Sequence, residues 1–540
     1  MSQLQCGTVL CLAPRRRWFS GIVSLAAAFF ALHWPFMRLP YFWDEAAQFV
    51  PAARDILRGA GWIPSSAAPN IHPPGVVAYL ALSWRLAGES PFVTRSAMLL
   101  LAAFGILSAF LLARELCRKV PGHPEFLAAA LLCLSPLFFA QSMLAQLDAP
   151  AMLFTTLALW LFLGGRLWLA AAACAALVLV KETGLVVPLV FFLWLAARRR
   201  WREAALFVAP AAVLALWIVW LAVRTGHWTG NPEFQRYNLF YPLDPIRIVL
   251  AAARRLYYLF FAGFHWIGAA AILYACRKKR LFEAPAWRLA GLIVLAQVLL
   301  VTLTGGAVLE RYLLPVMPVV YAAMACAISL WPPAPRLAAS LALAAGLAAG
   351  NWVKPFYPFP HENNLAFTDF VRLHQTAALY LARRYPAATV YTAWPLTLEL
   401  TRPELGFVPR IVPATPVANF APATLRSLPW GAIRVFVAFS RDWDPSVNPM
   451  HSPPLLHFWE RSYQEIASAP RQDLRHLVPL PRVASFTRHG QWVDIYVSPA
   501  YGGNATGALR LPTGAYSLRH AGRRRAAQTS GVLPGTPGVL

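Results

Sequence analysis

Charge is scarce in this chain. Of its 540 residues only 13% are Asp, Glu, Lys or Arg, against about a quarter in an ordinary soluble domain. Hydrophobic residues make up 58% and the mean hydropathy is +0.50. That balance argues against a free-standing globular domain and for a polytopic membrane protein. Acidic residues are scarcer than basic ones, 23 against 48, for a formal net charge of +25. The excess does not point to nucleic acid. It falls in clumps between apolar runs, "RRR" at 15–17, "RELCRK" at 114–119, "RRRWR" at 198–202 and "CRKKR" at 276–280, as cytoplasmic membrane loops do. The seven cysteines are odd in number and none lies beyond residue 326, which excludes a disulfide framework for the C-terminal part. There is no P-loop, no dinucleotide glycine fingerprint and no DxD in the outer loops before residue 350, so a soluble nucleotide donor is unsupported. His227, His265, His361 and His374 have no metal-site spacing.

What the chain does have is apolar runs. They predict spans near 18–38, 97–113, 125–143, 149–165, 167–180, 184–197, 204–223, 255–275, 288–304, 312–331 and 336–350, about eleven in all. The first follows a basic start without a small-residue cleavage site, so it reads as an uncleaved membrane helix. With a cytoplasmic N-terminus, Arg15 to Arg17, Arg114, Arg118, Lys119, Arg166, Arg198 to Arg200, Arg202, residues 277–280 and Arg336 all fall inside. Asp44, Glu45, Asp55, Asp148, Glu182, Glu233, Asp244 and Glu310 then fall outside. Residues 72–96 must lie along the outer surface without crossing, because Pro73, Pro74, Gly75, Gly88 and Pro91 interrupt them.

Beyond residue 350 proline becomes dense and apolar runs shorten. Residues 367–385 predict an amphipathic helix stopped by Pro386; 388–392, 433–439 and 492–498 predict strands. The expected architecture is an all-α polytopic membrane domain (1–350, with an outer-face catalytic loop at 39–96) and a small extracytoplasmic α/β domain (351–502). A disordered tail is expected from 503 to 540.

Under this topology the ionisable residues gather at one level. Each costs about 2.5–3.5 kcal/mol at mid-membrane, so a shared pocket at the outer leaflet is the economical explanation. Asp44 and Glu45 follow the first span and His72 shares their loop. Asp148 starts a span, Lys181 and Glu182 sit in "VLVKETGLVV", and Glu310 and Arg311 in "VLERYLLPVMP". Blander roles compete: Asp44 or Asp148 as a helix cap, Lys181–Glu182 as a self-contained ion pair, Arg311 as a snorkelling interface residue. Two carboxylates and two cations would suit a lipid-linked phosphosugar, the cations for phosphate and a carboxylate for a hydroxyl proton. A transporter or flippase is the main alternative, but no internal repeat is present and the charges sit at the outer edge, away from the midplane.

"WDEAAQFVPAARDIL", "HPPG", "LDAPAMLFTTLALWLFL", "VLVKETGLVVPL" and "ERYLLPVMP", in this order over residues 15–350, resemble the GT-C membrane glycosyltransferases. The nearest group is glycosyltransferase family 39, which includes protein O-mannosyltransferases and lipid A aminoarabinose transferases. The resemblance implies a polyprenyl-phosphate sugar donor, transfer on the non-cytoplasmic face and inversion at the sugar carbon. It implies Asp44 as catalytic carboxylate with Glu45 beside it, and Lys181 and Arg311 on the lipid phosphate. Asp148 is the second-loop acid, with His72, Glu182 and Tyr312 in support. The outer loop 224–254 is short for the family; Arg236, Tyr237 and Asp244 are its candidate acceptor contacts. No cofactor is required by this scheme and a divalent metal is not indicated. The acceptor would be a lipid, polysaccharide or protein, and nucleic acid is not a partner.

Overall fold

The computed structural model describes residues 13–279, 281–353, 359–441 and 468–502. The expected tail from 503 lies outside the described residues. The N-terminal two-thirds is helical throughout, because its apolar runs can satisfy their backbone groups in lipid only as helices. Among the described residues four helices are long and apolar enough to cross a membrane: Pro91–Leu116, Trp201–Thr225, Pro285–Leu303 and Glu310–Ile328. Pro245–Phe260 and Ala262–Arg277 make a fifth if counted as one span bent by 45°. Ser20–Phe36, Pro124–Leu134, Asp148–Leu163, Leu167–Val180, Glu182–Ala196 and Pro333–Ala349 are shorter apolar helices. Each expected span thus meets an apolar helix, but the count of eleven is not reached by length and composition alone.

One expected span is bent. The stretch 255–275, expected as a single crossing, breaks at Gly263, whose φ of +56° lies in the left-handed region. The helix before the break, Pro245–Phe260, carries Arg247, Arg254 and Arg255 at spacings of seven and eight, one face of a helix. Residues 75–87 form a helix of 13 residues, only about 20 Å long and too short to span. Gly88 ends it at φ +84°, and the Ser90 hydroxyl caps the next helix by accepting from Val93 N. Gly75 is a close-approach glycine: a Cβ there would lie 2.5 Å from the Leu179 carbonyl oxygen. The "HPPG" turn therefore seats the loop after the first helix directly on the helix end that leads to Lys181.

The C-terminal region is a five-stranded sheet of order β2-β1-β3-β5-β4: β1 Val390–Ala393, β2 Ala414–Val417, β3 Val435–Phe439, β4 Arg482–Arg488 and β5 Gln491–Val497. Strands β2, β1 and β3 run parallel, and β5 is antiparallel to both β3 and β4. β1, β3 and β5 coincide with the expected strands. The two edge strands are not among the expected ones, because Pro416 interrupts one and arginines punctuate the other. Helix Ala366–Arg384 packs Phe367, Phe370, Val371, Ala377, Ala378 and Leu381 inward, the i, i+3, i+4 pattern of an amphipathic helix.

This domain sits on the loop after the first helix. Phe42 meets Phe367 and Phe370 at ring distances of 5.6 Å, and Trp43 meets Trp394 edge-on at 4.4 Å. Tyr41 N donates to the Leu405 carbonyl, and Arg54 pairs with both Glu89 and Glu404.

Candidate active site

The two adjacent acids of the first loop part company. Trp43 adopts φ +46°, a conformation costing a non-glycine residue about 1–3 kcal/mol, and the chain then enters the short helical turn Glu45–Phe49. Asp44 precedes that turn but makes no capping hydrogen bond. Its Oδ2 instead accepts from Arg311 Nη2 at 2.5 Å, so it faces the cavity. Glu45 corrects the expectation of a second site carboxylate. It is fully buried and outside the cavity lining. Its Oε2 accepts from Phe42 N at 2.9 Å and its Oε1 from Ala145 N at 2.7 Å, with Arg95 3.5 Å away. Burial pushes the Glu45 carboxyl up from its ordinary range, against the pull of Arg95 and the two amides. Arg95, also fully buried, donates to the carbonyls of Leu39, Pro40 and Met143. Together the pair pins the loop after the first helix to the turn that precedes Asp148.

Lys181 and Glu182 are not a self-contained pair. Lys181 closes helix Leu167–Val180 in extended backbone (φ −153°), so neighbouring side chains point to opposite sides. Lys181 Nζ donates to Asp148 Oδ1 at 2.6 Å and lies 4.3 Å from the centre of the Tyr312 ring. Glu182 pairs with His72 Nδ1 at 2.7 Å. Asp148 opens its helix, yet its carboxylate is spent on cations: Lys181 on one oxygen, Arg311 Nε at 3.4 Å from the other. Arg311 is buried and does not snorkel. Its guanidinium touches a third carboxylate, Glu362, at 3.0 Å.

The far wall is held by the arginine face of Pro245–Phe260. Arg255 donates to the carbonyls of Val301 and Leu309, Arg247 to that of Gly305, and Arg254 pairs with Glu310 at 2.6 Å. They fix the turn 304–309 against Tyr237. A Cβ on Gly306 would lie 2.0 Å from the Tyr237 ring, so only glycine fits. Of the expected acceptor contacts, Tyr237 lines the cavity. Asp244 does not; it caps its helix, accepting from Arg247 N at 3.0 Å. Arg236 is exposed and outside the lining.

These groups enclose a cavity of about 650 Å³. Asp44, His72, Asp148, Lys181, Glu182, Arg311 and Tyr312 all line it. One side is apolar, with Leu185, Val186, Leu189, Leu300 and Val301. The C-terminal region supplies Phe359 to Glu362, Trp394 and Arg441. At the centre two cations, Lys181 and Arg311, face three carboxylates, Asp44, Asp148 and Glu362. Among the described residues no group of three or more His, Cys, Asp and Glu is arranged to hold a metal ion.

Sequence reasoning missed Glu362, Arg95 and the arginine wall. The quartet "HENN" at 361–364 carried a signal, since all four polar side chains are buried. Such a run just past the last span has to find partners.

Residues 71–223 match a family model described as dolichyl-phosphate-mannose-protein mannosyltransferase. No curated protein matches the chain. Among solved structures, apo ArnT from Cupriavidus metallidurans is 15% identical with a TM-score of 0.50, covering 91% of this chain and 100% of its own. The same protein bound to undecaprenyl phosphate gives 15% and 0.49, covering 89% and 98%. AglB from Archaeoglobus fulgidus, in complex with an inhibitory peptide and a dolichol-phosphate, is 14% identical with a TM-score of 0.48, covering 79% and 70%. In its fold, and over residues 71–223 in its family match, this chain is a multi-pass membrane protein that resembles the GT-C glycosyltransferases.

Proposed function

We propose that this protein is a membrane glycosyltransferase that moves a sugar from a polyprenyl-phosphate donor to an acceptor hydroxyl on the extracytoplasmic face, with inversion. The carrying observation is the convergence of Asp44, Asp148, Lys181 and Arg311 on one cavity with an apolar wall. The family match over residues 71–223, whose description names a dolichyl-phosphate sugar, supports the donor class. The apolar wall takes the first units of the lipid chain, and Lys181 and Arg311 hold its phosphate. Asp44 takes the proton of the acceptor hydroxyl as its oxygen bonds to the anomeric carbon. The carbon–phosphate oxygen bond breaks, and its electron pair leaves with the polyprenyl phosphate, whose growing charge the two cations stabilise. Asp148 orients both cations, and Tyr237 stands on the acceptor side. Two fixed cations meet the needs of a monophosphate leaving group without a metal. The N-terminus is cytoplasmic and the sheet domain extracytoplasmic in this scheme, as the basic clumps require. The test is a panel of radiolabelled polyprenyl-phosphate sugars offered to the purified protein in lipid nanodiscs. Release or transfer of label from one of them is expected; a panel that gives neither would sink the reading.

A further inference from the structure

Arg311 meets a different carboxylate with each nitrogen: Asp44 on Nη2, Glu362 on Nη1 and Asp148 on Nε. The three are not equivalent. Only the Asp44 contact is an aligned hydrogen bond. The Asp44 side chain is also the accessible one, 34% exposed against 3% for Asp148 and 5% for Glu362. An anion entering from the cavity can therefore take the Asp44 edge of the guanidinium and cannot easily reach the other two.

Glu362 is anchored from behind. Its Oε2 accepts from Gln146 Nε2 at 3.2 Å and its carbonyl from Gln141 Nε2 at 3.3 Å, both from the segment leading to Asp148. The next residue, Asn363, donates to Glu310 Oε2 at 2.6 Å. The strip 361–363 thus clasps Arg311 and its neighbour Glu310 together, and it belongs to the outer domain.

We propose that Glu362 is the positioning residue of the donor site. It holds Arg311 in place while the donor phosphate displaces Asp44, so that donor binding itself hands the Asp44 carboxylate to the acceptor hydroxyl. The inference rests on the glycosyltransferase reading above. Asp44 is tied to Arg311 in the structure; the donor phosphate takes that edge, and Glu362 keeps the guanidinium from swinging after Asp44. The outer domain is then a working part of the donor site.

The test compares wild type, Glu362→Gln and Glu362→Asp in nanodiscs, reading melting temperature, binding of undecaprenyl phosphate alone, and kcat and KM for the labelled donor. With one competing carboxylate neutralised, Glu362→Gln is expected to bind undecaprenyl phosphate as tightly as wild type or a few-fold more tightly. Its kcat is expected to fall roughly 10- to 100-fold, the scale of a positioning error of about 1 Å. Glu362→Asp, which restores the charge, is expected to recover part of kcat. A Glu362→Gln kcat within threefold of wild type overturns the proposal. So does a raised KM that tracks a lost melting temperature and is not relieved in Glu362→Asp, which marks a merely structural role. A wild type that does not bind undecaprenyl phosphate at all refutes the donor reading instead, and the two failures are told apart by that control.

Discussion

Amide substitution of the two adjacent acids should separate chemistry from architecture. In Asp44→Asn the lost charge is on a side chain one-third exposed, and the buried Arg311 keeps Asp148 and Glu362 as partners, so the loss of stability is small. The loss to catalysis is larger, because a general base contributes about 10²–10⁴-fold to the rate. Glu45→Gln should do the reverse. Both Glu45 oxygens accept from backbone amides, and Arg95 is its charged partner. A glutamine can accept with one end only, so a buried N–H is stranded at about 1–3 kcal/mol. Breaking a buried ion pair raises the total toward about 3–5 kcal/mol. The assay is transfer from the labelled donor in nanodiscs beside thermal and denaturant unfolding of the same preparations. The Asp44→Asn protein is expected to melt with wild type and to lose at least about 100-fold in kcat. The Glu45→Gln protein is expected to melt markedly lower, and the fraction that remains folded should keep kcat within a few-fold. Full activity in well-folded Asp44→Asn refutes the base assignment. An undisturbed melting curve with lost turnover in Glu45→Gln would put that carboxylate back in the chemistry.

Gly306→Ala should cut transfer at least tenfold, since its Cβ would overlap the Tyr237 ring; Gly291→Ala, with open space around it, is the control that leaves transfer unchanged. Transfer should survive exhaustive chelation with EDTA, because Lys181 and Arg311 supply the positive charge that the leaving phosphate needs; loss of turnover restored by a divalent cation would contradict this.

What could be read in the sequence was the material whose physics is local. Long continuous apolar runs give helices because each helix satisfies its own backbone in lipid, and the strands β1, β3 and β5 show as short apolar stretches between breaks. Charge bookkeeping gathered Asp44, Asp148, Lys181 and Arg311 at one level, since isolated charges in apolar runs are too costly to be idle. Direction was not legible. Asp44 and Glu45 are neighbours of the same charge, and only the twist at Trp43 and the distant Arg95 and Ala145 decide which faces the cavity. Lys181 and Glu182 look like partners in sequence, yet extended backbone sends each to a different one. Asp244, expected as an acceptor contact, is a cap, a choice settled by Pro245 at the first helical position. Glu362 could not be assigned because its partner, Arg311, lies far back in the chain, across the last span.

The bridging of Arg311 to Asp44, Asp148 and Glu362 also bears on biogenesis. A chain is made from its N-terminus, so Asp44 waits in the loop after the first helix until Arg311, 267 residues later, has been made. Lys181 and Asp148 can meet once the early spans are in place, but the central charge cluster cannot close until residue 362 has been made. A chain halted before that point would leave Arg311 without its Glu362 contact and Glu310 without its Asn363 contact. The contact that completes the site is therefore also the last of its contacts that synthesis makes possible.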